Sequence, residues 1–223
     1  MTAAERFAAV RGRIAAACAR AGRDPDSVQL LAASKHQPEA ALRSAYALGQ
    51  REFGENYVQE LTQKAAALAD LSDVHWHLIG RLQTNKVKDV LRVGSAVQSL
   101  DSLKLCEALA TRAAAAQQNV SVFVQVNISN EAQKAGASVA AVPQLVAAIR
   151  SAPSLRLRGL MALPKPTDDP ELARDAFRRL RELAHSLSLT ELSMGMSDDL
   201  ELAIEEGATI VRVGTALFGA RNP

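Results

Sequence analysis

The sequence predicts one α/β domain over residues 1–223, a single (β/α)8 TIM-type barrel with an additional N-terminal helix. Two observations carry this expectation. Short apolar, β-rich runs alternate with longer Ala/Leu/charged runs along the whole chain, and strands separated by helical segments pair in parallel because each parallel neighbour needs a crossover. Eight such units fill 223 residues, close to the usual size of a closed barrel. An open doubly wound sheet is the alternative, and the absence of a GxGxxG run after the first strand weakens it.

In chain order, an amphipathic helix over roughly residues 3–21 comes first. VQLLAAS (28–34) is the first strand, with a helix over 38–48 behind it. A short strand at Glu52 and Phe53 leads into a helix over 57–69. VHWHLIG (74–80) leads into a helical stretch from about residue 85. AVQSL (96–100) precedes a helix over 103–117, and VSVFVQVN (120–127) precedes one over 139–149. LRLRGLMA (155–162) precedes 170–187, ELSMG (191–195) precedes 198–206, and TIVRVG (209–214) closes the series. PKPTDDP (164–170) reads as an irregular loop, too short to divide the chain.

Composition excludes several classes. With 48% hydrophobic and 22% charged residues, a core forms without help from metals or disulfides. A net charge of +2 is too small to argue for nucleic acid or a membrane surface. The longest basic cluster, RDAFRRLREL (174–183), interleaves its arginines with Phe177, Leu180, Leu183 and, just beyond, Ala184 at helical spacing, which reads as a solvated helix face. Cys18 and Cys106 lie in Ala-rich helical stretches, and no CxxC or Cys/His cluster points to zinc. Two distant thiols and an N-terminus that is already an amphipathic helix imply a reducing compartment, so a cytoplasmic location is expected by default. No apolar run approaches the length of a membrane span.

Chemistry in such a barrel belongs at the C-terminal ends of the strands. The first strand runs into Lys35 after a string of apolar and small residues. A partly desolvated lysine presents more free amine to attack carbonyls, while the plain alternative is a surface lysine ending in water. Gly195-Met196-Ser197 precedes the helix expected from Asp198, and Gly214-Thr215 follows the last strand. Loops at these two positions frequently hold phosphate, with Ser197 as N-cap or direct hydroxyl donor, Gly214 admitting close backbone approach, and Thr215 adding a hydroxyl. Ordinary helix capping explains the same residues. Arg212 alternates against Val211 and Val213 and shares a strand face with Ile210 and Gly214. An arginine there needs an acceptor: a pyridine nitrogen held unprotonated, or a structural ion pair with Glu191 or Glu206. An aldehyde for the lysine, a phosphate for the two loops and a ring nitrogen for the arginine describe one ligand, pyridoxal 5′-phosphate (PLP).

At these residues the chain resembles the pyridoxal phosphate homeostasis proteins, PLP-binding barrels of the alanine-racemase-like superfamily. The matching stretches run in order through nearly the whole chain: LLAASKHQP around Lys35, QREFGENYVQE (50–60), HWHLIGRLQTNK (75–86), VQVNISNEAQKAG (124–136), LRGLMALP (157–164), LSMGMSDDLELAI (192–204) and TIVRVGTALFGAR (209–221). The combination of FGENYVQE, HxIGxLQxNK and GMSDD is highly specific, although no single piece is. The resemblance implies PLP as a Schiff base on Lys35 and pocket roles for Asn56, Met161, Ser197, Arg212, Gly214 and Thr215. Asn56 and Met161 come mainly from it, and their plain alternatives are a helix cap and core packing. It also implies a carrier or buffer in vitamin B6 homeostasis, with PLP-dependent apo-enzymes as recipients and no established turnover. Lys134 matches a lysine proposed for a second PLP site, with a loop lysine in water as the alternative. The chain ends Arg221-Asn222-Pro223, so no handover role for a C-terminal lysine transfers. At Leu78 a bulkier residue is frequent, which implies a packing change.

A PLP-dependent amino-acid racemase is the rival reading, and a phosphate-binding barrel isomerase without PLP is a third. Racemisation needs a second base opposite Lys35, for which only His77 and Tyr57 offer themselves, and a further domain that one barrel leaves no room for. An arginine at the pyridine nitrogen also weakens the ring as an electron sink. A non-catalytic monomeric carrier is therefore expected, with no metal, no nucleic acid and no membrane partner.

Overall fold

The structure, a computed structural model, describes residues 1–131 and 135–219. Eight parallel strands close on themselves in chain order: β1 (Gln29–Ala33), β2 (Glu52–Glu55), β3 (His75–Leu78), β4 (Ala96–Leu100), β5 (Val120–Val126), β6 (Leu155–Ala162), β7 (Glu191–Ser193) and β8 (Ile210–Val213). The barrel seals where β8 pairs with β1, with Leu31 opposite Arg212. An open sheet is thereby excluded.

Helices alternate with the strands: α1 (Ala3–Arg20) first, then α2 (Glu39–Ala47), α3 (Val58–Ala67), α4 (Val87–Val93), α5 (Leu103–Ala115), α6 (Val142–Arg150), α7 (Pro170–Ser186), α8 (Leu200–Glu205) and the single turn α9 (Thr215–Phe218). Thr2 and Glu5 form a capping box that starts α1, and Ser102 caps α5. Strand alternation splits side chains into two clusters. Ala32, Phe53, Val122, Val124, Leu160, Val211 and Val213 join the large layer between strands and helices. Leu31, Ile79, Phe123, Met161 and Ile210, with Ala33 against them, form a small interior cluster that fills the barrel.

The additional helix α1 packs on α8 and α9. Phe7 meets Phe218 edge-on at 6.3 Å, and Arg13 and Arg20 pair with Glu201 and Glu205. Arginines of the 174–183 cluster are not simply solvated. Arg174 and Arg181 reach Glu205 and Glu206 at the end of α8, tying α7 to its neighbour.

Several boundaries shift by a few residues, and two of the shifts have a local cause. β2 extends through Gly54 and Glu55, because backbone pairing to β3 continues although the apolar signal stops at Phe53. The helix expected from residue 198 begins at Leu200. The Asp199 carboxylate accepts the Met196 N–H at 2.6 Å and closes a turn ahead of it. Among the described residues no helix is long and apolar enough to cross a membrane. Cys18 and Cys106 are buried, free thiols, raised by burial above the usual thiol range.

Candidate functional site

Beyond β1 the backbone is clamped on both sides of Lys35. Ser34 extends the β1–β2 ladder by donating its N–H to the Gly54 carbonyl at 2.9 Å. Its hydroxyl donates to Glu55 Oε1 at 2.7 Å, and its carbonyl accepts from Lys64 Nζ at 2.6 Å. His36 follows at φ 61°, a left-handed conformation costly for a side chain of this kind. Glu60 holds it there, accepting the His36 N–H at 2.7 Å and lying 3.2 Å from its Nδ1. Burial alone would raise the Glu60 carboxyl, but hydrogen bonds from Lys64 and from the His36 N–H outweigh it and hold it below the usual range. Glu55, fully buried, is pushed above that range by burial, against the pull of Lys64 and Ser34.

Between these clamps Lys35 lines a cavity of about 380 Å³ at the C-terminal ends of the strands. Asn56, Ser197, Arg212, Gly214 and Thr215 line the same cavity, so six of the seven residues picked from sequence meet in one place. Lys35 makes no ion pair or side-chain hydrogen bond with any described residue, and among those residues the cavity is lined by one carboxylate, Asp198. Asn56 sits here because Gly80 lets two loops cross. A β-carbon at Gly80 would lie 2.0 Å from the Asn56 carbonyl oxygen. On the far wall, Gly195 adopts φ 90° and has no room for a side chain beside Ala203.

Arg212 is almost wholly buried, and its direct partners are neutral: the Ser193 hydroxyl at 2.6 Å and the Ala162 carbonyl at 2.8 Å. The ion-pair alternative fails, because Glu191 is engaged by Arg158 and Glu206 by Arg174 and Arg181. Burial pushes the guanidinium down to about 10, with the Asp199 charge opposing. The described bonds use two of the donors a guanidinium carries, which leaves N–H groups for the cavity it lines.

Other expectations are corrected. Ser197 is not an N-cap, since Asp199 takes that position, and the Ser197 carbonyl instead accepts from Arg13 at 2.8 Å. Met161 packs in the interior cluster with Ile79 rather than lining the cavity. Neither candidate second base lines the cavity: His77 is buried between Glu52 and Gln98, and Tyr57 is 51% exposed, its ring tilted at 45° against His36. Lys134 lies outside the described residues, as does the C-terminal Arg221-Asn222-Pro223. Ile79, Leu163 and Met196 also line the cavity, and sequence reasoning did not single them out.

Two further hollows, of about 430 and 460 Å³, open at the N-terminal ends of the strands. Glu52 and Glu191 there are already paired, with His75 and His77 and with Arg158. Barrel chemistry belongs to the opposite mouth.

The family model of the alanine racemase N-terminal domain matches residues 8–222. A pyridoxal phosphate homeostasis protein of Pseudomonas aeruginosa is 51% identical, over 99% of this chain and 96% of that protein. One from Escherichia coli K12 is 41% identical, over 98% and 97%. PipY of Synechococcus elongatus PCC7942, solved with PLP bound, aligns at a TM-score of 0.84 and 39% identity, over 98% of this chain and 100% of that one. An alanine racemase of Clostridium difficile shares the fold, at a TM-score of 0.68 and 11% identity, and is covered over 53% of its length.

Proposed function

The chain belongs to the pyridoxal phosphate homeostasis proteins of the alanine racemase N-terminal domain family, and from that premise we propose that it binds PLP as a Schiff base on Lys35 and acts as a PLP carrier in vitamin B6 homeostasis. One observation carries the reading most: Lys35, a buried arginine and the loops after β7 and β8 line a single cavity. When bound, PLP supplies an aldehyde that condenses reversibly with a primary amine.

The donor set fits that ligand. Lys35 offers an amine without an acid partner, on a backbone held rigid by Lys64 and Glu60. Arg212 offers N–H donors to an unprotonated ring nitrogen, because a guanidinium cannot accept. Ser197 and Thr215 offer hydroxyls, and Gly214 a backbone without a side chain, to a phosphate. Asn56 offers an amide at the rim, and Met161, with Ile79, firms the floor.

The same geometry supports carrier action over racemisation. Racemisation needs a base on each face of the substrate, and neither His77 nor Tyr57 lines the cavity. An arginine at the ring nitrogen keeps the ring a weak electron sink. We place the protein in the cytoplasm as a monomer, since a closed barrel leaves no sheet edge to extend, with PLP-dependent apo-enzymes as recipients.

A transfer assay tests this. PLP-loaded protein should activate a PLP-dependent apo-enzyme in the presence of a scavenger that removes free PLP. Amino acids incubated with it in heavy water should keep their α-protons. Stereospecific exchange at enzymatic rates would make it a racemase instead.

A further inference from the structure

A chain of hydrogen bonds runs from Arg212 through the barrel interior to the opposite mouth. Arg212 Nη1 donates to Ser193 Oγ at 2.6 Å. Ser193 donates to Gln98 Oε1 at 2.6 Å. Gln98 Nε2 lies 3.0 Å from His77 Nδ1, and His77 Nε2 lies 2.8 Å from Glu52 Oε2. The other oxygen of Glu52 takes His75 Nδ1 at 2.7 Å. Ser193 and Gln98 are fully buried, and Glu52 and His75 line the N-terminal mouth.

The direction of every link follows from the first. Arginine cannot accept, so the hydroxyl proton of Ser193 must go to Gln98 Oε1. Gln98 therefore turns its NH2 toward His77, whose Nδ1 accepts. His77 then carries its proton on Nε2 and donates to Glu52. All donors point away from Arg212 and end on a carboxylate. Burial alone would raise Glu52, but hydrogen bonds from His77 and His75 outweigh it and hold it below the usual range.

Arg212 thus has a buried charge and no carboxylate among its direct partners. We propose that Glu52, relayed by His77, Gln98 and Ser193, is a remote counter-charge that adds to the field of Asp199, and that the relay aims the guanidinium as a donor at the cofactor's ring nitrogen. This rests on the PLP reading above. Ser193, Gln98, His77 and Glu52 are positioning residues, and none of them lines the cavity. The other charged groups near the two ends are Lys35, Asp198 and Asp199 around the cavity, and His75, Arg158 and Glu191 at the N-terminal mouth.

The test compares full-length wild type, Gln98→Leu and Glu52→Gln in their affinity for PLP and for its deaza analogue, in which a carbon replaces the ring nitrogen. Glu52→Gln keeps the shape and one acceptor at the mouth and guards against a Gln98→Leu that fails to fold. Both variants should lose about tenfold in affinity for PLP, the scale of one well-placed hydrogen bond, and much less for the analogue. Equal losses for the two ligands, or no loss for either, would overturn the relay. A wild-type protein that takes no reducible adduct on Lys35 would instead overturn the PLP reading itself.

Discussion

The Lys64 ammonium donates to the Ser34 carbonyl at 2.6 Å and to Glu55 Oε1 at 2.7 Å, so a buried cation ties α3 to the backbone one residue before Lys35. Lys64→Met leaves Glu55, at 0% exposure, without its charge partner. Breaking one side of a buried pair costs about 3–5 kcal/mol, and replacing both sides by apolar groups costs much less. Urea unfolding should show a large loss for Lys64→Met, with most of it restored in Lys64→Met/Glu55→Leu.

Gly80 is fixed by contact rather than by conformation. A β-carbon there meets the Asn56 carbonyl oxygen at 2.0 Å, so Gly80→Ala must push the β2 and β3 loops apart. Overpacking of this kind costs about 1–3 kcal/mol. Because Asn56 lines the cavity, PLP affinity measured by absorbance titration should fall along with stability, whereas Gly12→Ala, in the middle of α1 with open space around it, should leave affinity unchanged and raise stability by about 0.5–1 kcal/mol.

Glu60 predicts a pH dependence. Its folded pKa is depressed, so its stabilising contribution is present above the unfolded carboxylate pKa and is lost as pH falls through the lower folded value. Protonation would release His36 from its left-handed conformation. Equilibrium unfolding followed from neutral pH into the acid range should show wild type losing this contribution below the usual carboxylate range. Glu60→Gln should have lost it already at neutral pH.

Arg13 tethers α1 both to Glu201 and to the Ser197 carbonyl in the loop after β7. Both partners of the ion pair are about one-third exposed, so solvent screens it. Arg13→Ala should cost about 0.5–1 kcal/mol at low ionic strength, and the difference from wild type in thermal unfolding should shrink in high salt.

Much of this was legible in the sequence, for physical reasons. The period-two pattern of Ile210-Val211-Arg212-Val213 set Arg212 on the inner face, where it lies. Lys35, Ser197, Gly214 and Thr215 were locatable because barrel chemistry gathers at strand ends. What stayed hidden depends on contacts between distant residues. Ser193 and Gln98 meet 95 residues apart in the chain, and each alone reads as an ordinary polar residue in a strand. The helix expected at residue 198 moved to Leu200 because the Asp199 side chain, not the backbone, takes the Met196 N–H. Arg158 claims Glu191, which removed the ion pair that Arg212 had on paper.

Borohydride reduction of the PLP-loaded protein, followed by peptide mapping, decides whether Lys35 holds the cofactor. The protein should be yellow and carry a pyridoxyl adduct on Lys35, and Lys35→Ala should lose both colour and adduct. No adduct on Lys35 after loading with PLP, or an unchanged visible band in Lys35→Ala, would contradict it.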